Sequence, residues 1–96
     1  MPEESILQNK ILRDLDSMGK KCIAFKIRRS SVNGAPDIFF AHVVTGPVLL
    51  ETKAETDGKL SPIQIQMHKN LSECRCKVYS ANSWSRWVEI KKSLGI

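Results

Sequence analysis

The sequence contains no long hydrophobic run and no paired set of cysteines, and each absence excludes a class of protein. No apolar stretch approaches the roughly 20 residues that span a bilayer, and the N-terminus lacks the layout of a signal peptide. Three cysteines, an odd number, do not form the framework that staples small secreted domains. We therefore expect a protein with no membrane partner, whose thiols stay reduced in the cytoplasm.

The sequence also lacks a set of ligands for a zinc site. Cys74-x-Cys76 has no second ligand pair at zinc-like spacing, and neither His42 nor His68 is placed to supply one. We therefore interpret the cysteines, including Cys22, as reduced residues that are partly buried in the core.

The chain is small and basic. Its 96 residues predict a single domain with one modest core, and 42% hydrophobic and 26% charged residues are typical of a globular protein. Fifteen Lys and Arg residues against ten Asp and Glu give a formal net charge of +5. Such an excess favours a polyanionic partner, with nucleic acid first, although a solvated basic surface would explain it equally simply.

Apolar residues near the N-terminus recur at helical spacing. Leu7, Ile11, Leu15 and Met18 form a stripe that predicts a first helix ending near Gly19. This stripe should face the core.

Two further helices are predicted in the second half of the chain. Ser61 is a good N-cap, Pro62 suits the first helical position, and Gln64 completes a capping box. The predicted buried stripe of this helix is Ile63, Met67, Leu71 and Cys74. Asn82 or Ser83 caps a last helix, whose two tryptophans, Trp84 and Trp87, we expect in the core or a subunit interface.

Four segments have the composition of strands. They cover residues 22–28, 37–44, 48–54 and 77–80, with a polar loop before the second and a turn at 45–47 before the third. The order is α-β-β-β-α-β-α. We predict an α/β fold with one mixed sheet flanked by helices.

The end of the third strand carries the most informative residues. Side chains alternate along a strand, so Glu51 and Lys53 share a face while Thr52 points the other way. The apolar run before Glu51 indicates an interior strand. The turn at 45–47 folds the second strand back and should bring Asp37 near Glu51, which places two carboxylates and one ammonium at one sheet edge.

This trio suits the hydrolysis of phosphodiester bonds. Carboxylate oxygens bind Mg²⁺ or Mn²⁺ beside phosphate oxygens, and the metal polarises the phosphoryl group and lowers the pKa of a bound water. A lysine beside it can orient that water or offset charge that develops in the transition state. The plain alternatives are a same-face ion pair for Glu51 and Lys53 and an ordinary turn before Asp37.

Three ordered motifs favour the catalytic interpretation: Gly34-x-Pro36-Asp37, then Glu51-x-Lys53, then Gly58-Lys59-Leu60-Ser61-Pro62-x-Gln64. Together they resemble the VRR-NUC branch of the PD-(D/E)XK nucleases, and the resemblance runs from Glu4 to about Tyr79. It implies one restriction-endonuclease-like nuclease domain over residues 1–96. The implied activity is that of a DNA endonuclease dependent on Mg²⁺ or Mn²⁺.

The resemblance also implies roles for individual residues. Asp37 and Glu51 would ligate the metal, with the Thr52 backbone carbonyl as a further ligand, and Lys53 would be the catalytic lysine. A glutamate of the first helix would reach the metal through water. We assign this role to Glu4, with Glu3 as the alternative; either is also explained as a favourable first-turn charge.

A glutamine after the third strand completes the family pattern, and Gln64 matches it. The capping box explains the same residue without any catalytic role. His68, one turn later, is interpreted as an ordinary, partly buried helix residue rather than a residue of the cleft.

Basic residues before Gly34 are the expected DNA contacts: Lys26, Arg28 and Arg29. Arginines beside an acidic metal site can clamp phosphates, although a solvated strand end explains them as well. Residues 30–33 separate them from Gly34, a longer loop than the family usually has.

Stand-alone proteins that look like this domain are often phage-encoded homodimers that cut branched DNA such as four-way junctions. A two-fold dimer suits paired incisions because it presents equivalent sites to two strands. Two alternatives remain open at this point. One is a non-catalytic nucleic-acid-binding module with a nuclease-like fold, and the other is a nuclease subunit that needs a partner such as a helicase.

Overall fold

The computed structural model describes residues 3–28, 33–54 and 59–96, with the side chains of Glu3 and Glu4 outside that description. The helices are α1 (Glu3–Asp16), α2 (Pro62–Glu73) and α3 (Trp84–Leu94). The strands are β1 (Cys22–Lys26), β2 (Ile38–His42), β3 (Gly46–Thr52) and β4 (Lys77–Ala81), and a 3-10 turn (Gly19–Lys21) precedes β1. The predicted α-β-β-β-α-β-α order is confirmed.

The four strands form one sheet in the order β1-β2-β3-β4. β1 pairs with β2, and β2 with β3, in antiparallel fashion, while β3 and β4 run parallel. The sheet is therefore mixed, as predicted. β3 lies inside it, which agrees with the uninterrupted apolar run before Glu51.

The core lies between one face of the sheet and helices α1 and α3. Leu7, Ile11 and Leu15 of α1 are buried, as the helical stripe predicted. Trp87 of α3 is fully buried and meets the ring of Phe40 edge to face, with ring centroids 5.8 Å apart. This burial of apolar surface is the main source of the fold's stability. Within the described ranges, no helix has the length and apolar character needed to cross a membrane.

The other face of the sheet is covered less completely. Ile23 and Phe25 of β1 are 67% and 52% exposed, and α2 packs mainly against β4 at the far side. The half-buried residues of α2 that face the sheet are Gln64, Met67, His68 and Leu71.

The predicted buried stripe of α2 is therefore wrong in part. Ile63 is 55% exposed and Cys74 is also exposed, and no described residue of α2 is fully buried. The helix lies over only part of the sheet, so it needs a shallower apolar face than a core helix does. Exposed Cys74 also contradicts the expected partial burial of every cysteine, whereas Cys22 and Cys76 are half-buried.

Several strand boundaries differ from the prediction by one or two residues. β2 ends at His42 rather than residue 44, because the His42 Nδ1 atom accepts a hydrogen bond of 2.9 Å from the backbone of Val44 and closes a turn. β3 consequently begins at Gly46, whose φ of +73° is favoured by glycine. β1 ends at Lys26, two residues before the predicted boundary.

The predicted helix caps are confirmed. Ser61 Oγ accepts from the Gln64 amide at 3.2 Å, and Gln64 Oε1 accepts from the Ser61 amide at 2.9 Å, which completes the capping box. For α3, Ser83 is the N-cap rather than Asn82, because Ser83 Oγ accepts from the Arg86 amide.

Candidate metal and nucleic-acid site

One edge of the sheet collects the predicted site residues. The carboxyl ends of β1, β3 and β4 meet there with the start of β2, since Ile38 pairs with Leu50 and Thr52 pairs with Ala81. Ligands commonly bind outside the carboxyl ends of strands, where side chains from several elements converge.

The backbone of Asp37 is fixed between its two neighbouring strands. Its amide donates to the Leu50 carbonyl at 3.1 Å, and its own carbonyl accepts from the Ile27 amide at 2.7 Å. The carboxylate turns toward β3, where Oδ2 accepts from the Thr52 amide at 2.9 Å and from Thr52 Oγ1 at 3.1 Å. As predicted, the hairpin brings Asp37 to the end of β3.

Gly34 packs the loop before Asp37 directly onto the first turn of α2. Its φ is +84°, and a Cβ at this position would lie 2.8 Å from Ile63 Cγ2 and 2.9 Å from the Ile63 carbonyl oxygen. Only glycine satisfies both the backbone angle and the close approach. The glycine of the Gly-x-Pro-Asp motif therefore has a structural role, which is to join the Asp37 loop to α2.

Glu51 lies under α2 on the opposite face from Thr52. Among the described residues it is the only acidic one that is buried, at 1% exposure. Its Oε1 is 3.7 Å from His68 Nε2. Burying a carboxylate is unfavourable unless other groups compensate for the lost hydration. A buried glutamate at a strand end is therefore stronger evidence for a functional site than an exposed charged residue is.

His68 is half-buried, as expected, but it also faces Glu51, which the sequence did not reveal. Burial lowers the pKa of His68 and the nearby Lys53 ammonium lowers it further, whereas Asp37 acts in the opposite direction. The lowered pKa favours the neutral imidazole at neutral pH, and the contact with Glu51 is an ion pair only when His68 is protonated. The available signal was its position one helical turn after Gln64.

Lys53 follows β3 directly. Its amide donates to the Ala81 carbonyl at 2.9 Å, which extends the parallel pairing with β4 by one residue. Its ammonium is near enough to His68, the neighbour of Glu51, to lower the pKa of that imidazole. The side chain is half-buried and lines cavities on the β4 side of the sheet edge.

A cleft of about 400 Å³ opens beside Asp37 and is lined by Gln8, Lys26, Ile27, Arg28 and Asp37. Two of the three predicted DNA contacts, Lys26 and Arg28, therefore lie next to the carboxylate. Arg29 lies outside the described residues, as does Gly58 of the third motif. Two cations beside an acidic group form a suitable environment for a phosphate that approaches a metal.

Gln8 belongs to this site but was not predicted from sequence. Its Nε2 donates to Thr52 Oγ1 at 3.1 Å, and so it supports the hydroxyl that holds Asp37. Glu4 precedes it by one turn of α1, although the Glu4 side chain lies outside the description, and so does that of the alternative, Glu3. The shared helical position of residues 4 and 8 was the only available signal.

Gln64 has a demonstrated structural role. Its side-chain oxygen is engaged by the Ser61 amide in the capping box. It also lies on the half-buried face of α2, one turn before His68. The structure shows the capping role alone and gives the Gln64 side chain no contact with Asp37 or Glu51 among the described residues, so its catalytic role stays a prediction.

The residues at this edge fit magnesium or manganese better than zinc. Within the described ranges, no group of three or more His, Cys, Asp and Glu residues is close enough to hold a metal. Mg²⁺ commonly needs only one or two carboxylates, because water and substrate phosphates supply its other ligands. The Thr52 N–H points to Asp37, and strand geometry directs the Thr52 carbonyl to the same side.

Comparison of the chain with models of known protein families and with curated protein sequences finds no match. The fold alone does not determine an activity, since one fold supports many chemistries. The function must therefore be inferred from the residues of the site.

Proposed function

We propose that the protein is a divalent-metal-dependent endonuclease that hydrolyses DNA phosphodiester bonds. The observation that carries this proposal is the convergence of Asp37, Glu51 and Lys53 at the end of β3. Two hydrogen bonds from Thr52 hold the Asp37 carboxylate there, and Glu51 is buried one residue earlier in the same strand. Lys26 and Arg28 line the adjoining cleft.

Asp37 and Glu51 would hold the metal, with the Thr52 carbonyl as a further ligand. When bound, a Mg²⁺ or Mn²⁺ ion polarises the phosphoryl group and lowers the pKa of a coordinated water. Thr52 and Gln8 orient Asp37 from the core side, as supporting residues commonly do in metal sites. The assignment of Glu4 as a ligand through water, and of Gln64 as a catalytic residue, remain parts of the proposal.

The basic residues have two different roles in this proposal. Lys53 follows Glu51 by two residues and lies near His68, where its ammonium can orient the attacking water or offset negative charge on the phosphoryl oxygens. Lys26 and Arg28 bind backbone phosphates and hold the strand in the cleft beside Asp37.

Branched DNA is the proposed substrate class and a homodimer the proposed assembly. Both come from the resemblance to the VRR-NUC nucleases. The net charge of +5 and the basic cleft support a nucleic-acid partner in general.

The direct test is to incubate the pure protein with a labelled four-way junction and with linear duplex, in Mg²⁺, in Mn²⁺ and in EDTA. We expect metal-dependent cleavage that is lost in Glu51→Gln and in Lys53→Ala. Glu73→Gln and Lys92→Ala are matched controls, because both residues are exposed, on α2 and α3 respectively. They remove the same charges and should leave cleavage unchanged.

Salt-sensitive DNA binding without cleavage in either metal would contradict the nuclease proposal and favour the non-catalytic binding module. Cleavage that appears only after a partner protein is added would favour the subunit alternative. Light scattering that gives the mass of one chain would contradict the homodimer.

A further inference from the structure

Two adjoining cavities lie on the β4 side of Lys53, the opposite side from Asp37. The first, of about 190 Å³, is lined by Lys53, Ser80, Ala81, Asn82 and Arg86. The second, of about 180 Å³, extends from Lys53 and Asn82 to Ile6, Lys10 and Trp84. Lys53 and Asn82 line both cavities, and we call the two cavities together the β4 groove.

The β4 groove is basic. Lys10, Lys53 and Arg86 line it, and no acidic side chain of the described residues does. Arg86 pairs with Glu89 at 3.2 Å, but the two side chains are 46% and 68% exposed. Such an exposed pair is weak, so Arg86 can exchange it for a phosphate. The Arg86 amide already donates to Ser83 Oγ, so it is the side chains, and not the helix terminus, that offer the binding groups.

Trp84 gives one end of the groove an aromatic surface. Of the two tryptophans that we expected in the core or a subunit interface, Trp87 is buried in the core, whereas Trp84 is 37% exposed and its place in an interface stays a prediction. Lys10 Nζ lies over the Trp84 ring at 4.7 Å from its centre and Lys91 Nζ at 5.8 Å, so a base that stacks on the ring displaces an ammonium group there. Exposed aromatic rings beside lysines and arginines are the usual stacking platforms for the bases of single strands.

We infer that the β4 groove binds a single-stranded stretch of nucleic acid beside the cleavage site. Lys53, Asn82 and Arg86 hold a phosphate, and Trp84 with Ile6 receives an unpaired base. The base must be unpaired because bases within a duplex are stacked on one another and cannot stack on a side chain. This inference rests on the proposed function, since Lys53 belongs to both the groove and the proposed catalytic site.

The test measures binding rather than cleavage. Fluorescence anisotropy in EDTA compares a short labelled oligothymidine with an abasic oligonucleotide of equal length. Trp84→Ala should weaken binding of oligothymidine about tenfold and leave binding of the abasic strand unchanged, because stacking needs a base. Arg86→Ala should weaken binding of both strands and reduce the salt dependence by about one phosphate contact.

The controls separate these effects from misfolding and from general charge. Trp84→Phe keeps an aromatic face and should restore most of the oligothymidine affinity. Arg13→Ala removes one exposed arginine near the C-terminal end of α1. It should reduce the affinity for either oligonucleotide less than Arg86→Ala does. Thermal unfolding of each variant verifies the fold.

If Trp84→Ala weakened binding of oligothymidine and of the abasic strand equally, the proposed base site would be wrong. If Arg86→Ala bound both strands with the affinity of Arg13→Ala, the proposed phosphate site would be wrong. The results distinguish a failure of the nuclease proposal from a failure of the groove proposal. A protein that cuts DNA but shows neither effect keeps the nuclease proposal and loses the groove. A protein that cuts nothing but shows both effects keeps the groove alone.

Discussion

Thr52 donates two hydrogen bonds to one oxygen of Asp37, from its backbone amide at 2.9 Å and from its hydroxyl at 3.1 Å. Thr52 is fully buried, whereas Asp37 is only half-buried. The carboxylate is therefore oriented from the core through Oδ2, and neither bond engages Oδ1. A fixed carboxylate is what a metal site requires, because ligands that are oriented in advance lose little entropy on binding.

Thr52→Val tests this orientation. It removes the hydroxyl with little change of volume, and we expect a loss of about 1–2 kcal/mol in the free energy of unfolding. We also expect Mn²⁺ affinity to fall about tenfold or more, because the hydroxyl no longer holds Asp37. Thr52→Ser keeps the hydroxyl and should keep the metal affinity, although the lost methyl group lowers stability. Equal Mn²⁺ affinity in the Val and Ser variants would contradict this role.

Gly34→Ala should destabilise the protein more than a positive φ alone explains. The strain of a left-handed alanine costs about 1–2 kcal/mol, and forcing a methyl group against a packed neighbour adds about 1–3 kcal/mol. Gly19→Ala is the matched control, because Gly19 has a φ of +66° and a Cβ there would meet no atom within 4 Å. Urea denaturation of both variants gives the difference. Equal losses would show that the Ile63 contact is unimportant.

Asp14 connects α1 to α3, and its removal should be costly. It accepts a hydrogen bond of 2.8 Å from Trp87 Nε1 and pairs with Lys91 at 2.7 Å. Asp14→Ala leaves the indole N–H of a buried tryptophan without this acceptor, which should cost about 1–3 kcal/mol of unfolding free energy.

Glu89→Ala is the control for Asp14, because it breaks only the exposed pair with Arg86 and should cost less than about 1 kcal/mol. Asp14→Asn keeps an acceptor oxygen and should fall between the two. Chemical denaturation measures all three. A loss in Glu89→Ala as large as that in Asp14→Ala would contradict the buried connection.

The thiols should differ in reactivity. Burial raises the pKa of Cys22, and the carboxylate of Asp16 raises it further. Only the thiolate is the nucleophile, so a raised pKa leaves less of the reactive form at a given pH. We expect Cys74, which is exposed, to react with a disulfide reagent first, and the rate at Cys22 to keep rising at more alkaline pH. Single-cysteine variants followed by absorbance test this, and a faster Cys22 at neutral pH would contradict it.

Local patterns in the sequence predicted the elements of the fold well. The helical stripe of α1 and the capping box of α2 depend on residues close together in the chain, and both are present. The buried face of α2 was less predictable, because a period of 3.6 residues gives the apolar stripe but not how much of the sheet the helix covers. That coverage depends on the tertiary position of α2 over β4.

The contacts that position the site residues could not be predicted from the sequence either, because they also depend on the tertiary structure. Gln8 and Thr52 are 44 residues apart, and nothing local marks their hydrogen bond. Strand alternation did predict that Glu51 and Thr52 point to opposite faces, whereas the shared face of Glu51 and Lys53 stays a prediction. It could not predict that His68 would lie 3.7 Å from Glu51, since this needs the orientation of α2.

Metal binding itself should be detectable as a gain in thermal stability. A ligand that binds only the folded state adds about 2.7 kcal/mol at a concentration of 100 times its dissociation constant. We expect Mg²⁺ or Mn²⁺ to raise the unfolding temperature reversibly, with EDTA restoring the original value. Asp37→Asn and Glu51→Gln should lose this increase, because each removes a charged oxygen ligand, while Glu89→Gln should retain it. An equal increase in all three variants would place the metal elsewhere and remove the physical basis for catalysis at the end of β3.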